Sequence, residues 1–203
     1  MTATRFLFGL SGGVLVFAMG GPFWSGLGIS AALKGRSEWW MWLTATFVQF
    51  GGAAALVWAS VRLRKRSGFS AAARRQPDVR EQAEGRHIRK RFLLVSLGQG
   101  LLVGAGVWWF EREGLHDSTW AWIALIVSLH FAPLGDLFHV RAYYWTAALG
   151  ALVGLAALGG IFVPYTTTYL CIAMTVVMWG TGAYIAWRAD ALTAGALREP
   201  WAT

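Results

Sequence analysis

Six apolar runs follow one another along this chain, each close to the roughly 20 residues an α-helix needs to cross the hydrocarbon of a bilayer. They cover about 6–33, 38–61, 92–110, 119–138, 143–163 and 166–188, and charge or a turn signal bounds each one. A backbone in lipid must satisfy its own hydrogen bonds, so runs of this length read as helices. The expected fold is therefore all-α: a polytopic membrane protein with six transmembrane helices, folded as a single domain over 1–203. Apolar residues make up 56% of the chain and charged ones 14%, a balance outside ordinary globular usage that agrees with this reading. Arg5, the stretch Phe6 to Phe17 and Ala18-Met19-Gly20 also mimic a cleavable signal. Apolar sequence continues beyond that triplet, so the first run is read as a span.

The charge pattern orients the spans. Eleven of the eighteen Lys and Arg residues lie between Arg62 and Arg91, in a single loop between the second and third runs. With Arg5, Arg141, Arg188 and Arg198 they place fifteen basic residues on one side, against Lys34, Arg36 and Arg112 on the other. Positive charge stays cytoplasmic, so both termini and the basic loop are expected inside, in a cell inner or plasma membrane. The formal charge of +8 is thus explained by topology, and a nucleic-acid partner is not expected. Asp78 and Glu81 have capping-box spacing, which predicts a helix running from Asp78 into the third span. Its Arg86, Arg89, Lys90 and Arg91 would lie at the headgroups, making membrane lipids the first expected partner. Trp39, Trp40 and Trp42 open the second run as an interfacial belt.

Several chemistries are excluded. Cys171 is the single cysteine, so no intrachain disulfide or Cys-rich zinc site can form. All three lysines, Lys34, Lys65 and Lys90, lie outside the runs, which leaves no Schiff-base position in the membrane. No P-loop and no serine-hydrolase elbow is present. No cofactor and no metal is expected.

Ionisable residues at membrane depth mark function by default. His130 lies eleven residues after Thr119, roughly 16 Å into the membrane at 1.5 Å per residue. Asp136 and His139, three apart and so on one helical face, lie nearer the cytoplasmic end of the same run. His130 is on the other side of a regular helix from His139, so the three converge only if Pro133 and Gly135 break it. Gly20-Gly21-Pro22 is a comparable break point in the first run, beside Trp24. Paired interruptions in opposite halves point to a midplane site in transporters, so His130, Asp136, His139, Pro22 and Trp24 form the candidate ligand-binding set.

The residues His130-Phe131-Ala132-Pro133-Leu134, then Leu137-Phe138 and Tyr143-Tyr144, resemble a pattern found in a family of small bacterial multi-pass membrane proteins of unknown function. The resemblance covers only the fourth run and the start of the fifth. It implies a multi-pass architecture and no particular activity.

The leading expectation is a small-molecule-binding or transporter-like protein with a site between spans one and four, an apolar ligand and His130 as the deep polar contact. An intramembrane lipid-modifying enzyme, with His130, Asp136 and His139 as acid, base or metal ligands, is the second class, and bound metal would mark it. The third is a non-catalytic partner subunit of a membrane complex, marked by a wide apolar surface and no polar cavity. Gly- and Ala-rich faces such as Ala147 to Gly160 also permit homo-oligomers.

Overall fold

The computed structural model of the protein describes residues 3–34, 39–66, 79–138, 140–163 and 165–196. Among them the chain is entirely helical, with six helices: α1 (Ala3–Ala32), α2 (Trp39–Arg66), α3 (Val79–Arg112), α4 (His116–Phe138), α5 (Arg141–Leu158) and α6 (Thr166–Ala196). Five of the six, all but α5, are long and apolar enough to cross a membrane, which suggests a membrane protein. At 18 residues α5 is the shortest, about 27 Å at 1.5 Å per residue.

α5 stops before the apolar run does. The fifth run extends to Val163, yet the helix ends at Leu158, because Gly160 takes a left-handed turn with φ 76°. The Ile161 amide then bonds the Ala156 carbonyl at 3.0 Å and the Gly160 amide the Ala157 carbonyl at 3.1 Å, the paired bonds of a Schellman cap. Gly114, with φ 71°, ends α3 in the same way, through Leu115 to Phe110 and Gly114 to Glu111. Beyond that turn the Glu111 carboxylate accepts hydrogen bonds from Thr119 Oγ1 at 3.0 Å and from His116 at 2.6 Å. Those contacts tie the start of α4 to the end of α3.

The two proline positions do not break their helices. α1 is continuous through Pro22 and α4 through Pro133. The Pro22 carbonyl accepts hydrogen bonds from Gln49 Nε2 of α2 at 2.9 Å and from Ser25 Oγ at 3.2 Å. These bonds tie α2 to α1 at the proline; the carbonyl that Pro22 itself leaves without its helical donor is that of Ala18, one turn earlier. α3 begins at Val79 and runs unbroken into its apolar stretch; Asp78 lies outside the described residues.

α1 packs closely on α6 and on α2, and α4 packs closely on α5; α6 joins the two groups through α5 and α4, while α3 leans on α4. Small residues set these distances, as expected where the surrounding solvent is as apolar as the side chains. A Cβ on Gly154 of α5 would come within 2.9–3.0 Å of the backbone N and Cα of Leu125 in α4. Gly21 of α1 and Gly52 of α2 leave a slot that the indole of Trp179 from α6 fills. Thr146 of α5 and Thr181 of α6 add a hydroxyl pair at 2.8 Å.

Gly154→Val forces α4 and α5 apart, and overpacking of this kind costs about 1–3 kcal/mol. The variant is expected to unfold at a clearly lower temperature in detergent. Gly98→Val of α3, where an added Cβ meets nothing within 4 Å, is expected to stay near the wild-type midpoint.

Candidate functional site

Aromatic rings hold α1 against the α4–α5 hairpin. Phe17 of α1 stacks on Phe131 of α4 with ring centroids 5.2 Å apart, and both rings pack on Tyr143 of α5, at 5.7 and 5.9 Å. Phe138 meets Tyr143 edge to face at 6.4 Å, and Gly135 lies under the ring of Tyr144. Phe131, Gly135, Phe138, Tyr143 and Tyr144 of the 130–144 pattern thus pack where α4 turns into α5.

Beside this cluster α1 and α4 separate around a cavity of about 300 Å³, at the small end of ligand sites. α1 supplies Val16, Gly20, Phe23 and Trp24, α4 supplies Val127, His130, Phe131 and Leu134, and Met178 of α6 closes the back. Phe92 and Gln99 of α3 complete the wall. Trp24 is 2% exposed and gives a rigid floor, whereas Val16 and Phe23 are more than half exposed at the rim. α1 and α3 do not pack substantially on each other, so the cavity opens sideways between them, toward the surface that lipid would cover.

The polar content of the wall is small and specific. His130 faces a backbone hydrogen-bonding group of Val95 in α3, while its Nδ1 is buried with no hydrogen-bond partner. Gln99 is half-buried and its amide has no partner among the described residues. No charged side chain lines the cavity.

The five sequence candidates are distributed unevenly. Trp24 and His130 line this one cavity. Pro22 does not line it, and its carbonyl is engaged by α2. Asp136 faces a separate cleft between α3 and α4, and His139 lies outside the described residues. With α4 unbroken, Asp136 does not come round to His130. Gln99 was not among the candidates, which are ionisable residues of the fourth run and residues at the Gly20-Gly21-Pro22 break of the first. Its signal was nonetheless present: an amide in mid-run, between Gly98 and Gly100. Among known proteins, no family model matches the chain, and no curated protein or solved structure is significantly similar to it.

Leaving a buried polar atom unpaired costs about 1–3 kcal/mol. His130→Phe, close in shape and free of that atom, is therefore expected to unfold at or slightly above the wild-type temperature in detergent, as followed by circular dichroism. A clear drop in midpoint would show that the imidazole is a structural bond donor.

Proposed function

We propose that the chain is a six-span membrane protein of the inner or plasma membrane that binds a neutral, largely apolar small molecule in the cavity between α1 and α4. Both termini and the basic loop face the cytoplasm. The observation that carries the reading is the pairing, in one otherwise apolar cavity, of His130 with the unpartnered amide of Gln99. An uncharged ligand with a carbonyl or hydroxyl group suits these two side chains, since both can donate and accept hydrogen bonds. The absence of charge from the wall disfavours an ion. A transporter would use the same site, reached from the bilayer through the gap between α1 and α3.

The third expected class, a partner subunit without a polar cavity, fits less well. The second, an enzyme using His130 with Asp136, is weakened because these two residues face different clefts.

Gly20 gives a clean test, since a Cβ there meets only the sulfur of Met178, at an ordinary 3.7 Å. A larger side chain at this position can occupy the cavity without displacing a helix. An aliphatic alcohol carrying a photoactivatable diazirine is expected to label α1 and α4 of the purified protein. In Gly20→Leu the labelling should fall about tenfold, a loss of about 1.4 kcal/mol, while Gly98→Leu should label like wild type. Equal labelling of all three would overturn the site.

Orientation is checked separately in right-side-out and inverted vesicles with a membrane-impermeant maleimide. A cysteine at Ser70 is expected to react only from the cytoplasmic face and one at Glu113 only from the opposite face. Native Cys171 is fully buried and should contribute no background.

A further inference from the structure

The second cleft, on the other side of the α3–α4 contact, has a composition unlike the first. It measures about 220 Å³ and is lined by Arg91, Leu94 and Val95 of α3 and by Pro133, Asp136 and Leu137 of α4. The two helices run antiparallel in a register set by Trp122, whose indole donates to the Leu102 carbonyl at 2.9 Å and sits in the notch at Gly106. Counting along both helices from that contact brings Arg91 and Asp136 to the same level. Arg91 ends the basic stretch and Phe92 opens the apolar one, so this level is the membrane interface. Both side chains are exposed, and no ion pair joins them.

We propose that this cleft holds the headgroup of an ethanolamine phospholipid. A guanidinium binds phosphate oxygens through parallel N–H bonds. Asp136, across the cleft, accepts hydrogen bonds from a primary ammonium, which carries three donors. One zwitterionic headgroup satisfies both charges at once. A purely anionic headgroup would bring its charge against Asp136, and a trimethylated ammonium has no hydrogen to donate. On the membrane side of the two charges, Leu94, Val95 and Pro133 offer an apolar wall for the glycerol and the first acyl carbons, so the occupant is a lipid and not a free phosphoester. The proposal rests on the membrane reading and is independent of the α1–α4 cavity.

The test reconstitutes the full chain with equal amounts of phosphatidylethanolamine, phosphatidylglycerol and phosphatidylcholine and identifies the lipids retained on gentle extraction by native mass spectrometry. The wild type is expected to retain the ethanolamine lipid several-fold over the other two. Asp136→Asn should move the preference to phosphatidylglycerol, and Arg91→Gln should abolish preference altogether. Because both positions are exposed, these variants are expected to keep the wild-type unfolding temperature. No ethanolamine preference in the wild type, or a preference unchanged in Asp136→Asn, would overturn the proposal. Diazirine labelling of the α1–α4 cavity in the same variants keeps the two sites apart, since it should be unaffected by either change.

Discussion

The interaction on which the rest of this structure depends is the close approach of α4 and α5 at Gly150 and Gly154. In lipid, burying one apolar side chain against another gains little over leaving it against an acyl chain, so attraction between helices comes from dispersion at short range and from polar links. Gly154 brings α5 onto the backbone of Leu125, and Gly150 lies against Ser128, whose hydroxyl bonds the Ala124 carbonyl at 2.7 Å. With that hairpin rigid, Phe131 and Tyr143 are fixed as a pair, and α1 docks on them through Phe17. The contact of α1 with α6 is made by the same means, with Gly28 against Cys171.

The cavity follows from this arrangement. α1 is drawn toward α2 and α6, and α4 toward α5 and α3, so the two helices that share the cavity meet through rings and not through their backbones. Rings bridge a wider gap than a glycine seam does, and they bridge it only where they lie, at Phe17 and Phe131. Next to them the gap stays open, floored by Trp24 and Met178. A second consequence concerns α3, which rests on α4 and buries little of its surface. It forms one wall of both clefts, so what either cleft admits depends on how α3 sits on α4. The Trp122 bond and the Glu111 contacts at the turn fix that position.

Much of the helix pattern was legible in the sequence because apolar length and charge are one-dimensional signals. The end of α5 was not read from hydropathy, since Gly159-Gly160 terminates the helix while apolar residues continue to Val163. The prolines misled in the opposite direction. Pro22 and Pro133 remove a donor each, yet α1 and α4 run through them without interruption. Of the candidate site, His130 was legible as a deep polar residue and Trp24 as an aromatic beside the Pro22 break, but which of the remaining residues join them is a matter of helix rotation. Asp136 and His130 are six residues apart on an unbroken helix, which turns them to different faces of α4, and only the three-dimensional packing shows that Gln99 lines the same cavity as His130.

Gln49 and Gln99 show how the same side chain can have two uses in such a setting. Each is an amide in an apolar helix, where an unpaired polar group costs several kcal/mol, about 4–8 on the scale of transfer to hydrocarbon. Gln49 is satisfied by the Pro22 carbonyl and so joins α2 to α1. Gln99 has no such partner, and His130 nearby leaves Nδ1 unpaired. Helices α1 and α2 therefore gain stability from their amide, while α4 carries a cost at the cavity wall in the buried, unpaired Nδ1 of His130. Under the proposed function, a ligand able to hydrogen-bond would offset part of that cost. On that proposal, affinity at the cavity should follow the ligand's capacity to hydrogen-bond more steeply than its apolar bulk.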